Sequence, residues 1–264
     1  MKNKVKIFYN NNDKSINTFN EVKDKLIKNG FIIVENDYNI AIAIGGDGSF
    51  LRMVKETNFK SDVLYLGINT GTLGFAQEIH VNELDELIEN LKTGNYKVNE
   101  FGVQETNLYS NYENSKFYSL NDIVIRDMDL NTLKLDIFID DALLEHFAGD
   151  GILVSTSFGS TAYNLSFRGS IIYNTFHALE LTPVAPLNNK TYRTLTNSLV
   201  LPQNKNIEIV PVSNKNLIVT IDGENKYYEN VDKIDTILSD KTIMCYQNID
   251  YNFVKKINDK FLSN

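Results

Sequence analysis

Two hydrophobic patterns alternate along the N-terminal part of the chain. Short, largely apolar runs indicate buried strands at residues 5–9, 31–34, 40–44 and 63–68. Between them lie stretches with apolar residues at helical spacing, over residues 15–29 and 81–91, and Gly30 follows the first as an expected helix end. Because strands that alternate with amphipathic helices form βαβ units, the pattern predicts an α/β fold with a parallel sheet.

Past residue 95 the period of the pattern changes from helical to twofold. Apolar and polar residues alternate in many short runs that Asn, Asp and Gly separate, for example residues 133–139 and 217–221. Short strands at close spacing predict an antiparallel β domain. The tail, residues 251–262, again has apolar residues at helical spacing, which predicts a C-terminal helix that packs back on a core.

The third apolar run ends in three glycines around one aspartate: Gly45, Gly46, Asp47 and Gly48. The residues that follow indicate a helix, with Ser49 as the expected N-cap. A strand that ends in glycines at the start of a helix leaves backbone N–H groups free to bind a phosphate. Asp47 cannot bind a phosphate itself, so we expect it to hold Mg²⁺ or to accept a proton from a hydroxyl. An ordinary tight turn with a turn-forming aspartate is the alternative.

A second glycine-bearing loop, residues 69–75, follows the next strand. In an open α/β sheet, ligands bind beyond the carboxyl ends of the strands. We therefore expect the two glycine loops to line one crevice.

Three polar stretches in the β-rich half carry candidate chemistry. Asn121 and Asp122 place an amide beside a carboxylate, which suits the two neighbouring hydroxyls of a ribose, although a plain turn has the same sequence. Residues 149–151 form a second glycine-flanked aspartate, which also fits a β-hairpin turn. In residues 155–164, backbone and hydroxyl donors can read the edge of a purine while Tyr163 stacks on its face. A helix cap rich in Ser and Thr is the alternative there.

The composition limits the partners. With a net charge of −8 and no cluster of Lys and Arg, the chain lacks the usual features of a nucleic-acid-binding protein. A single cysteine, Cys245, excludes an internal disulfide framework and suits a reducing compartment. The N-terminal apolar run is too short for a signal peptide and no later run approaches a membrane span, so we expect a cytoplasmic protein with no membrane partner.

In this order and spacing, the motifs resemble those of the NAD kinase family. The matching segments are GGDG at residues 45–48, the second glycine loop at 69–75, the Asn-Asp pair at 121–122, and Gly149-Asp150-Gly151 followed by GSTAY at 159–163. The similarity covers most of the chain, and GSTAY is its most specific motif, because diacylglycerol and sphingosine kinases share GGDG. Three positions depart from the family pattern: Ser157 and Phe158 stand where the family usually has Pro and Thr, and Arg168 where it tends to have Gly.

The resemblance implies a fold, a reaction and partners. We expect a Rossmann-like α/β domain at residues 1–98, a β-rich, sandwich-like NAD-binding domain at 99–250, and a C-terminal helix at 251–264 that returns to the N-terminal domain. The implied enzyme transfers the γ-phosphoryl group of ATP, or of polyphosphate, to the 2′-hydroxyl of the adenosine ribose of NAD and forms NADP. The resemblance further implies Mg²⁺ as cofactor and a homodimer or homotetramer.

The resemblance also implies roles for individual residues. Asp47 is the expected catalytic base, with Mg²⁺ coordination as a second or competing role, while the phosphates are expected to hold the metal. The residues expected to bind NAD are Asp47, Gly48, Phe75, Asn121, Asp122, Asp150, Phe158, Thr161, Ala162, Tyr163, Ser166 and Ala185. Those expected to bind the phosphates of ATP are Gly45, Gly46, Gly48, Arg52, Asn69, Gly71 and Thr72.

The NAD-binding set divides by the part of the dinucleotide that each residue is expected to contact. Asn121 and Asp122 would bind ribose hydroxyls, and residues 161–163 would read and stack the adenine. Asp150, Ser166 and Ala185 would lie at the other end of the dinucleotide, with Asp222 close by.

Two other functions fit parts of the pattern. A lipid kinase shares the GGDG scaffold, but the chain has no basic or apolar stretch for membrane docking, and a lipid acceptor does not need a purine-reading segment at 159–163. An NADP-binding sensor without turnover has no need of a base such as Asp47 beside the 2′-hydroxyl. Both considerations favour the kinase.

Overall fold

A computed structural model describes residues 3–71 and 74–263. The chain divides into two units, which we call the α/β unit (residues 1–101 and 241–264) and the β unit (residues 102–240). Thr72, one of the expected phosphate-binding residues, lies outside the described residues.

The longer helices lie towards the two ends of the chain, and strands dominate the part between them. The helices are α1 (Asp13–Lys28), α2 (Asp47–Glu56), α3 (Leu84–Thr93), α4 (Tyr163–Ser166) and α5 (Phe253–Phe261). The strands of the first half are β1 (Lys4–Tyr9), β2 (Ile32–Ile33), β3 (Ile40–Gly45), β4 (Leu64–Asn69), β5 (Ile79–His80), β6 (Lys97–Ser110), β7 (Asn114–Ser119), β8 (Asp122–Asp127) and β9 (Leu133–Ile139). They continue with β10 (Ala142–Gly149), β11 (Gly151–Thr156), β12 (Ala178–Val184), β13 (Leu199–Pro202), β14 (Ile207–Pro211), β15 (Leu217–Ile221), β16 (Glu224–Tyr228) and β17 (Val231–Gln247). None of the described helices is long and apolar enough to cross a membrane.

A parallel sheet forms the centre of the α/β unit, as the sequence predicts. Its strands follow the order β2-β1-β3-β4. The end of β17 and the short strand β5 both pair with β4 on the side away from β3. All of these pairings are parallel. From β1 the chain continues to β2, which lies on one side of β1. It then crosses to β3 on the other side of β1, and β4 follows β3 in the same direction. The order therefore reverses between β1 and β3, and open α/β sheets bind ligands beyond the strand ends at such a point.

The apolar pattern explains this core. Every residue of β3 and β4 is buried, which is typical of parallel strands covered on both faces. Val22 and Leu26 of α1 and Leu84 of α3 pack in the same cluster as the sheet residues. Helix α2 begins at Asp47, with Gly46 as its N-cap, so the predicted N-cap at Ser49 is wrong. The Gly46 carbonyl already accepts a hydrogen bond from the Ser49 N–H at 2.8 Å, so the first helical turn starts before Ser49.

Antiparallel strands build the β unit, which confirms the prediction for this half. One sheet has the order β13-β12-β11-β8-β15-β16. The strands β10-β9-β14-β17 form a second row, in which the first part of β17 pairs with β14. Inward side chains of both rows form one buried cluster, for example Ile125, Val154, Leu135 and Ile209. Two antiparallel layers over a shared core correspond to the sandwich-like expectation.

The segment Gly149-Asp150-Gly151 is not a hairpin turn, so that alternative is wrong. The strand before it, β10, pairs with β9, whereas the strand after it, β11, pairs with β8 and β12. Asp150 therefore lies where the chain passes from one sheet to the other, and an Asp-Gly dipeptide alone does not reveal that its flanking strands have different partners.

Helix α5 returns to the α/β unit, as its apolar spacing predicts. Phe253 and Phe261 both contact the ring of Phe75, with centroids 6.5 and 5.2 Å away. The C-terminal segment thus supplies both a strand, the end of β17, and a helix to the α/β unit.

Candidate functional site

The carboxylate of Asp47 is fixed by backbone donors of the second glycine loop. Its Oδ2 accepts a hydrogen bond from the Phe75 N–H at 2.9 Å, and its Oδ1 accepts one from the Ala76 N–H at 3.0 Å. A Cβ at Gly74 would lie 1.9 Å from Asp47 Oδ1, so only glycine lets the loop approach so closely. The two glycine loops are therefore in direct contact, and Asp47 is half-buried at the first turn of α2 beside the point where the strand order reverses.

Asn69 presents a buried donor that has no partner among the residues the structure describes. This residue ends β4, is 3% exposed, and pairs in register with Gly45 at the end of β3. Its Oδ1 accepts a hydrogen bond from the Gly71 N–H at 2.8 Å, which fixes the orientation of the amide. Within the described residues, its Nδ2 is buried and has no hydrogen-bond partner. Buried polar groups are nearly always paired, so this N–H group is suited to a ligand atom.

The other expected phosphate-binding residues lie around the same strand ends. Gly46 and Gly48 are exposed, and Gly45 is the last residue of β3. The guanidinium of Arg52 already has partners: its Nη2 donates to the Tyr9 carbonyl at 3.1 Å and its Nε lies 3.7 Å from Glu56. Arg52 is thus held beside the end of β1, with its side chain partly exposed.

Lys256 of α5 supports the loop that holds Asp47, a role that was not predicted. Only 8% of this residue is exposed. Its Nζ donates to the Phe75 carbonyl at 2.7 Å and lies 3.5 Å from Glu78 Oε1. Burial lowers the pKa of Lys256, and burial raises the pKa of Glu78, while each charge opposes the shift of the other. A charged residue on an amphipathic helix is normally exposed, so no sequence signal marked this lysine.

In the β unit, Asp222 anchors the Asn-Asp pair. Its carboxylate accepts hydrogen bonds from the backbone N–H groups of Leu120, Asn121 and Asp122 at 2.8, 2.7 and 3.2 Å. Asp222 itself has a φ of +46° in the turn between β15 and β16. The carboxylate of one turn therefore sets the backbone position of the predicted ribose-binding residues.

Burial changes the acidity of Asp122. The residue is 3% exposed, and burial, followed by the nearby negative charge of Asp222, raises its pKa to about 7, while the positive charge of Arg126 opposes the shift. Near neutral pH the group is therefore present both as an acid and as a carboxylate, and it can donate to or accept from a hydroxyl.

The segment 155–164 is bound to the Asn-Asp pair through the backbone. The Asn121 carbonyl accepts a hydrogen bond from the Thr156 N–H at 2.9 Å, and a Cβ at Gly159 would lie 2.1 Å from that oxygen. The hydroxyl of Thr156 accepts from the Gly159 N–H at 3.1 Å, and that of Ser160 donates to the Ser157 carbonyl at 2.8 Å. These two hydroxyls stabilise the turn and are occupied within the chain. Neither caps a helix, because the N-caps in this segment are Phe158 and Ala162 and no side chain makes a capping hydrogen bond there, so the helix-cap alternative is wrong.

Tyr163 keeps an exposed ring beside this turn. It is 42% exposed, its hydroxyl accepts a hydrogen bond from Arg126 Nη2 at 2.8 Å, and the Arg126 guanidinium lies 5.6 Å from its ring centroid. The ring also meets the edge of Phe167 at 4.8 Å. Thr161 and Ala162 are partly exposed next to it, and Phe158 is partly buried at the start of the same turn.

Ser166 and Ala185 line one cavity of about 690 Å³ within the β unit. Phe167, Arg168, Thr196 and Asn197 are among its other walls. Asp150 is exposed close to Ala185, since its N–H donates to the neighbouring Val184 carbonyl at 3.0 Å. The structure thus brings together the three residues that were expected at the far end of the dinucleotide.

Two family models match the chain. The model for the ATP-NAD kinase N-terminal domain matches residues 2–96, and the model for the ATP-NAD kinase C-terminal domain matches residues 120–245. A protein named NAD kinase from Finegoldia magna is 40% identical over 268 aligned positions, which cover 98% of this chain and 97% of that protein.

Two solved structures resemble the fold. Yeast NADH kinase complexed with NADH has a TM-score of 0.86 at 22% identity, covering 99% of this chain and 88% of that one. An NAD kinase from Archaeoglobus fulgidus in complex with ATP has a TM-score of 0.73 at 19% identity, covering 93% and 94%. At these identities the likeness concerns the fold.

Proposed function

The chain belongs to the NAD kinase family and is an NAD kinase, and we propose that Asp47 is the base of its reaction. The reaction transfers the γ-phosphoryl group of ATP to the 2′-hydroxyl of the adenosine ribose of NAD and forms NADP. A ribose hydroxyl is a weak nucleophile at neutral pH, so a carboxylate that accepts its proton accelerates the step by about 10²–10⁴-fold.

The fixed carboxylate of Asp47 is the observation that carries this proposal. Two backbone N–H groups hold its oxygens, so the side chain needs no reorganisation when a hydroxyl approaches. Each oxygen keeps a further lone pair for a proton or a metal ion. Among the described residues of the α/β unit, the unpartnered Asn69 Nδ2 and the exposed Gly46 and Gly48 support phosphate binding at the same strand ends. The phosphate-binding set further includes Gly45, Arg52, Gly71 and Thr72.

The residues also fit Mg²⁺. Magnesium sites in phosphoryl-transfer enzymes use one or two carboxylates together with substrate phosphates. Such a site needs no cluster of protein ligands, and within the described residues no group of three or more His, Cys, Asp and Glu side chains is arranged as a metal site. Asp47 would be the protein ligand, and bound Mg²⁺ would neutralise charge on the transferred phosphoryl group. We expect EDTA to abolish NADP formation, excess Mg²⁺ to restore it, and the melting temperature without nucleotide to stay unchanged.

On the acceptor side, we propose that Asn121 and Asp122 bind ribose hydroxyls, and that Asp222 keeps them in place. Tyr163 stacks on the adenine, supported by its 42% exposed ring, and Thr161 and Ala162 contact the purine edge. The remaining residues proposed to bind NAD are Gly48, Phe75, Asp150, Phe158, Ser166 and Ala185. Of these, Phe75 contributes its backbone to Asp47 while its ring packs on α5.

The test substitution removes the carboxylate of Asp47 and keeps the size and shape of its side chain. We expect Asp47→Asn to lower kcat by about 10²–10⁴-fold with ATP, Mg²⁺ and NAD, while the Kd for NAD changes little. Asp13→Asn is a matched control, because Asp13 is also the first residue of a helix that follows a strand of the same sheet and lies at the exposed surface. Unchanged turnover in Asp47→Asn would refute the assignment.

Two further expectations concern the partners. Activity with soluble NAD in the absence of lipid vesicles distinguishes this enzyme from a lipid kinase with the same GGDG motif. The homodimer or homotetramer that the resemblance implies stays a prediction, and sedimentation velocity of the purified protein measures it.

A further inference from the structure

A glutamine side chain is completely buried beside the first glycine loop. Gln77 lies between the second glycine loop and β5, and its exposed fraction is 0%. Its Nε2 donates a hydrogen bond to the Gly46 carbonyl at 2.8 Å, while its Oε1 has no hydrogen-bond partner among the described residues. The amide of Gln77 is therefore used to hold the backbone of the GGDG motif.

The surroundings of Gln77 indicate a role beyond packing. A buried acceptor without a partner lowers folding stability, and an apolar side chain of similar size avoids that penalty. Gly67 of β4 makes room for the amide, because a Cβ at that position would overlap Gln77 Oε1. The chain thus keeps an amide under the loop despite an unpaired oxygen and a glycine in a buried strand.

The contact fixes the peptide that joins Gly46 to Asp47. The Gly46 carbonyl accepts hydrogen bonds from Gln77 Nε2 and from the Ser49 N–H, both at 2.8 Å, so both of its lone pairs are used. In a planar trans peptide, the carbonyl and the following N–H point in opposite directions. Because the carbonyl points towards a buried side chain, the Asp47 N–H points away from it. Gln77 thus helps to set the direction of that N–H.

The glycines of the loop make such an anchor necessary. Consecutive glycines adopt many backbone conformations, so an unsupported loop samples other orientations of this peptide. Among the described residues, the N–H groups of Asp47 and Gly48 donate to no backbone carbonyl, as expected at the start of a helix. These are the groups that a phosphate contacts at a helix N-terminus, and the exposed Gly46 and Gly48 leave access to them.

A second buried amide lies next to Gln77 along β4. Asn69 follows Gly67 by two residues, so the two lie on the same face of the strand. The Gln77 amide packs against Gly67, and Asn69 presents its unpaired Nδ2 beside it. The donor that supports phosphate binding and the amide that holds the loop are therefore neighbours in the α/β unit.

Resting on the proposed function, we propose that Gln77 is a positioning residue for the triphosphate of ATP. It holds the peptide between Gly46 and Asp47 so that the N–H groups at the start of α2 meet the phosphates without reorganisation. Gln77 itself contacts no phosphate, since its side chain is completely buried. Its removal weakens binding of phosphate groups and affects NAD less, because most residues proposed to bind NAD lie in the β unit.

A purely structural role for Gln77 is the competing explanation. In that case, removal of the amide lowers the melting temperature and leaves the kinetic constants of the folded enzyme unchanged. The positioning role predicts the reverse, because an apolar side chain also removes the unpaired oxygen. The melting temperature and KM for ATP of the same variants separate the two explanations.

The experiment compares the unmodified full-length protein with Gln77→Met, using ATP, Mg²⁺ and NAD. We expect KM for ATP to rise about three- to tenfold, which is the effect of one hydrogen bond. The Kd for tripolyphosphate with Mg²⁺, measured by calorimetry without NAD, should rise by the same factor. KM for NAD should change by less than about twofold, and the melting temperature should stay the same or increase. Gln77→Leu repeats the test with a differently shaped apolar side chain.

Gln104 provides a matched control. It is also completely buried, but its Nε2 donates to Thr236 Oγ1 at 2.8 Å and its Oε1 accepts from Ser119 Oγ at 3.2 Å, all within the β unit. Gln104→Met removes the same amide and breaks both bonds. We expect a lower melting temperature, with KM for ATP and the Kd for tripolyphosphate unchanged.

Several outcomes would overturn the inference. An unchanged KM for ATP in both Gln77 variants, or an equal rise in Gln104→Met, would show that Gln77 does not position the phosphate-binding groups. A rise in KM for ATP with an unchanged Kd for tripolyphosphate would attribute the effect to the nucleoside.

The inference and the proposed function can fail separately. Asp47→Asn tests the proposed base through kcat, whereas Gln77→Met tests the affinity for phosphates. An unmodified protein that formed no NADP would refute the proposed function, and one that did not bind tripolyphosphate would refute the inference.

Discussion

At the scale of single residues, burial gives Asp122 a pKa of about 7, and this makes folding stability depend on pH. The folded protein keeps the proton up to that pH, whereas the unfolded chain loses it near the ordinary value of 3.8. Unfolding therefore releases a proton between these values, so the contribution of Asp122 to the free energy of unfolding falls as pH rises from about 4 to about 7 and is constant above. The shift corresponds to at most about 4 kcal/mol.

Asp122→Asn removes this titration. We expect the variant to be more stable than the unmodified protein at pH 8 and to lose most of that advantage at pH 5, as measured by urea unfolding at both values. Other buried acids such as Glu78 titrate in both proteins and cancel in the difference. A difference in stability that does not vary with pH would contradict the assignment of the raised pKa to Asp122.

Residue chemistry was predictable where a motif marked it. Asp47 stood out because glycines surround it at the end of a buried strand, and the structure shows why: Gly74 makes room for its carboxylate. The anchoring role of Asp222 and the loop contact of Lys256 were not predictable. Each acts on a segment about 100 or more residues away in the chain, and a single sequence carries no signal for such pairings.

At the scale of elements, α5 secures the loop that holds Asp47. Lys256→Met removes the hydrogen bond to the Phe75 carbonyl and leaves Glu78 buried without its cation. Breaking such a buried pair costs about 3–5 kcal/mol, so we expect a lower melting temperature. Because the loop also positions Asp47, we expect kcat to fall about ten- to hundredfold with little change in KM. Thermal melts and steady-state kinetics measure both effects.

A double variant separates stability from positioning. The double variant Lys256→Met/Glu78→Gln removes both charges of this buried pair. We expect it to recover most of the loss in melting temperature while kcat stays low. Lys256→Arg keeps a cationic donor and should retain more activity than Lys256→Met. Full recovery of kcat in the double variant would show that Lys256 serves stability alone.

Element types were easier to predict than their ends and partners. Consecutive apolar residues revealed β3, because parallel strands are buried on both faces. The start of α2 was placed too late, since glycine at an N-cap offers no side-chain signal and Ser49 does. The apparent hairpin at 149–151 was wrong because turn residues report local geometry, whereas the partners of β10 and β11 depend on the whole sheet.

At the scale of the whole molecule, the β unit is one continuous segment inserted into the α/β unit. It contains its own buried cluster from two antiparallel rows of strands. We expect residues 102–240 to fold alone, with a cooperative thermal transition and dispersed amide resonances. A chain of residues 1–240 lacks α5 and the β17 residues that pair with β4, so we expect its α/β unit to be destabilised. A fragment 102–240 without a cooperative transition would contradict this view.

The sequence predicted an α/β half and a β-rich half, but not the contribution of β17 to the parallel sheet. Met244 and Cys245 lie beside Leu64 and Tyr65, and a parallel strand supplied from a distant part of the chain has the same local pattern as an antiparallel strand. Strand direction depends on the partner, and the partner is nearly two hundred positions away.

The contact between Lys256 and the Phe75 carbonyl has a consequence for protein synthesis. Translation proceeds from the N-terminus, and domains fold as they emerge. The GGDG motif is synthesised before its supporting helix α5, which follows the whole β unit in the chain. A nascent chain that does not yet include α5 therefore carries the motif without the contact that Lys256 makes to the loop around Asp47, and we expect catalytic competence only after α5 has been synthesised.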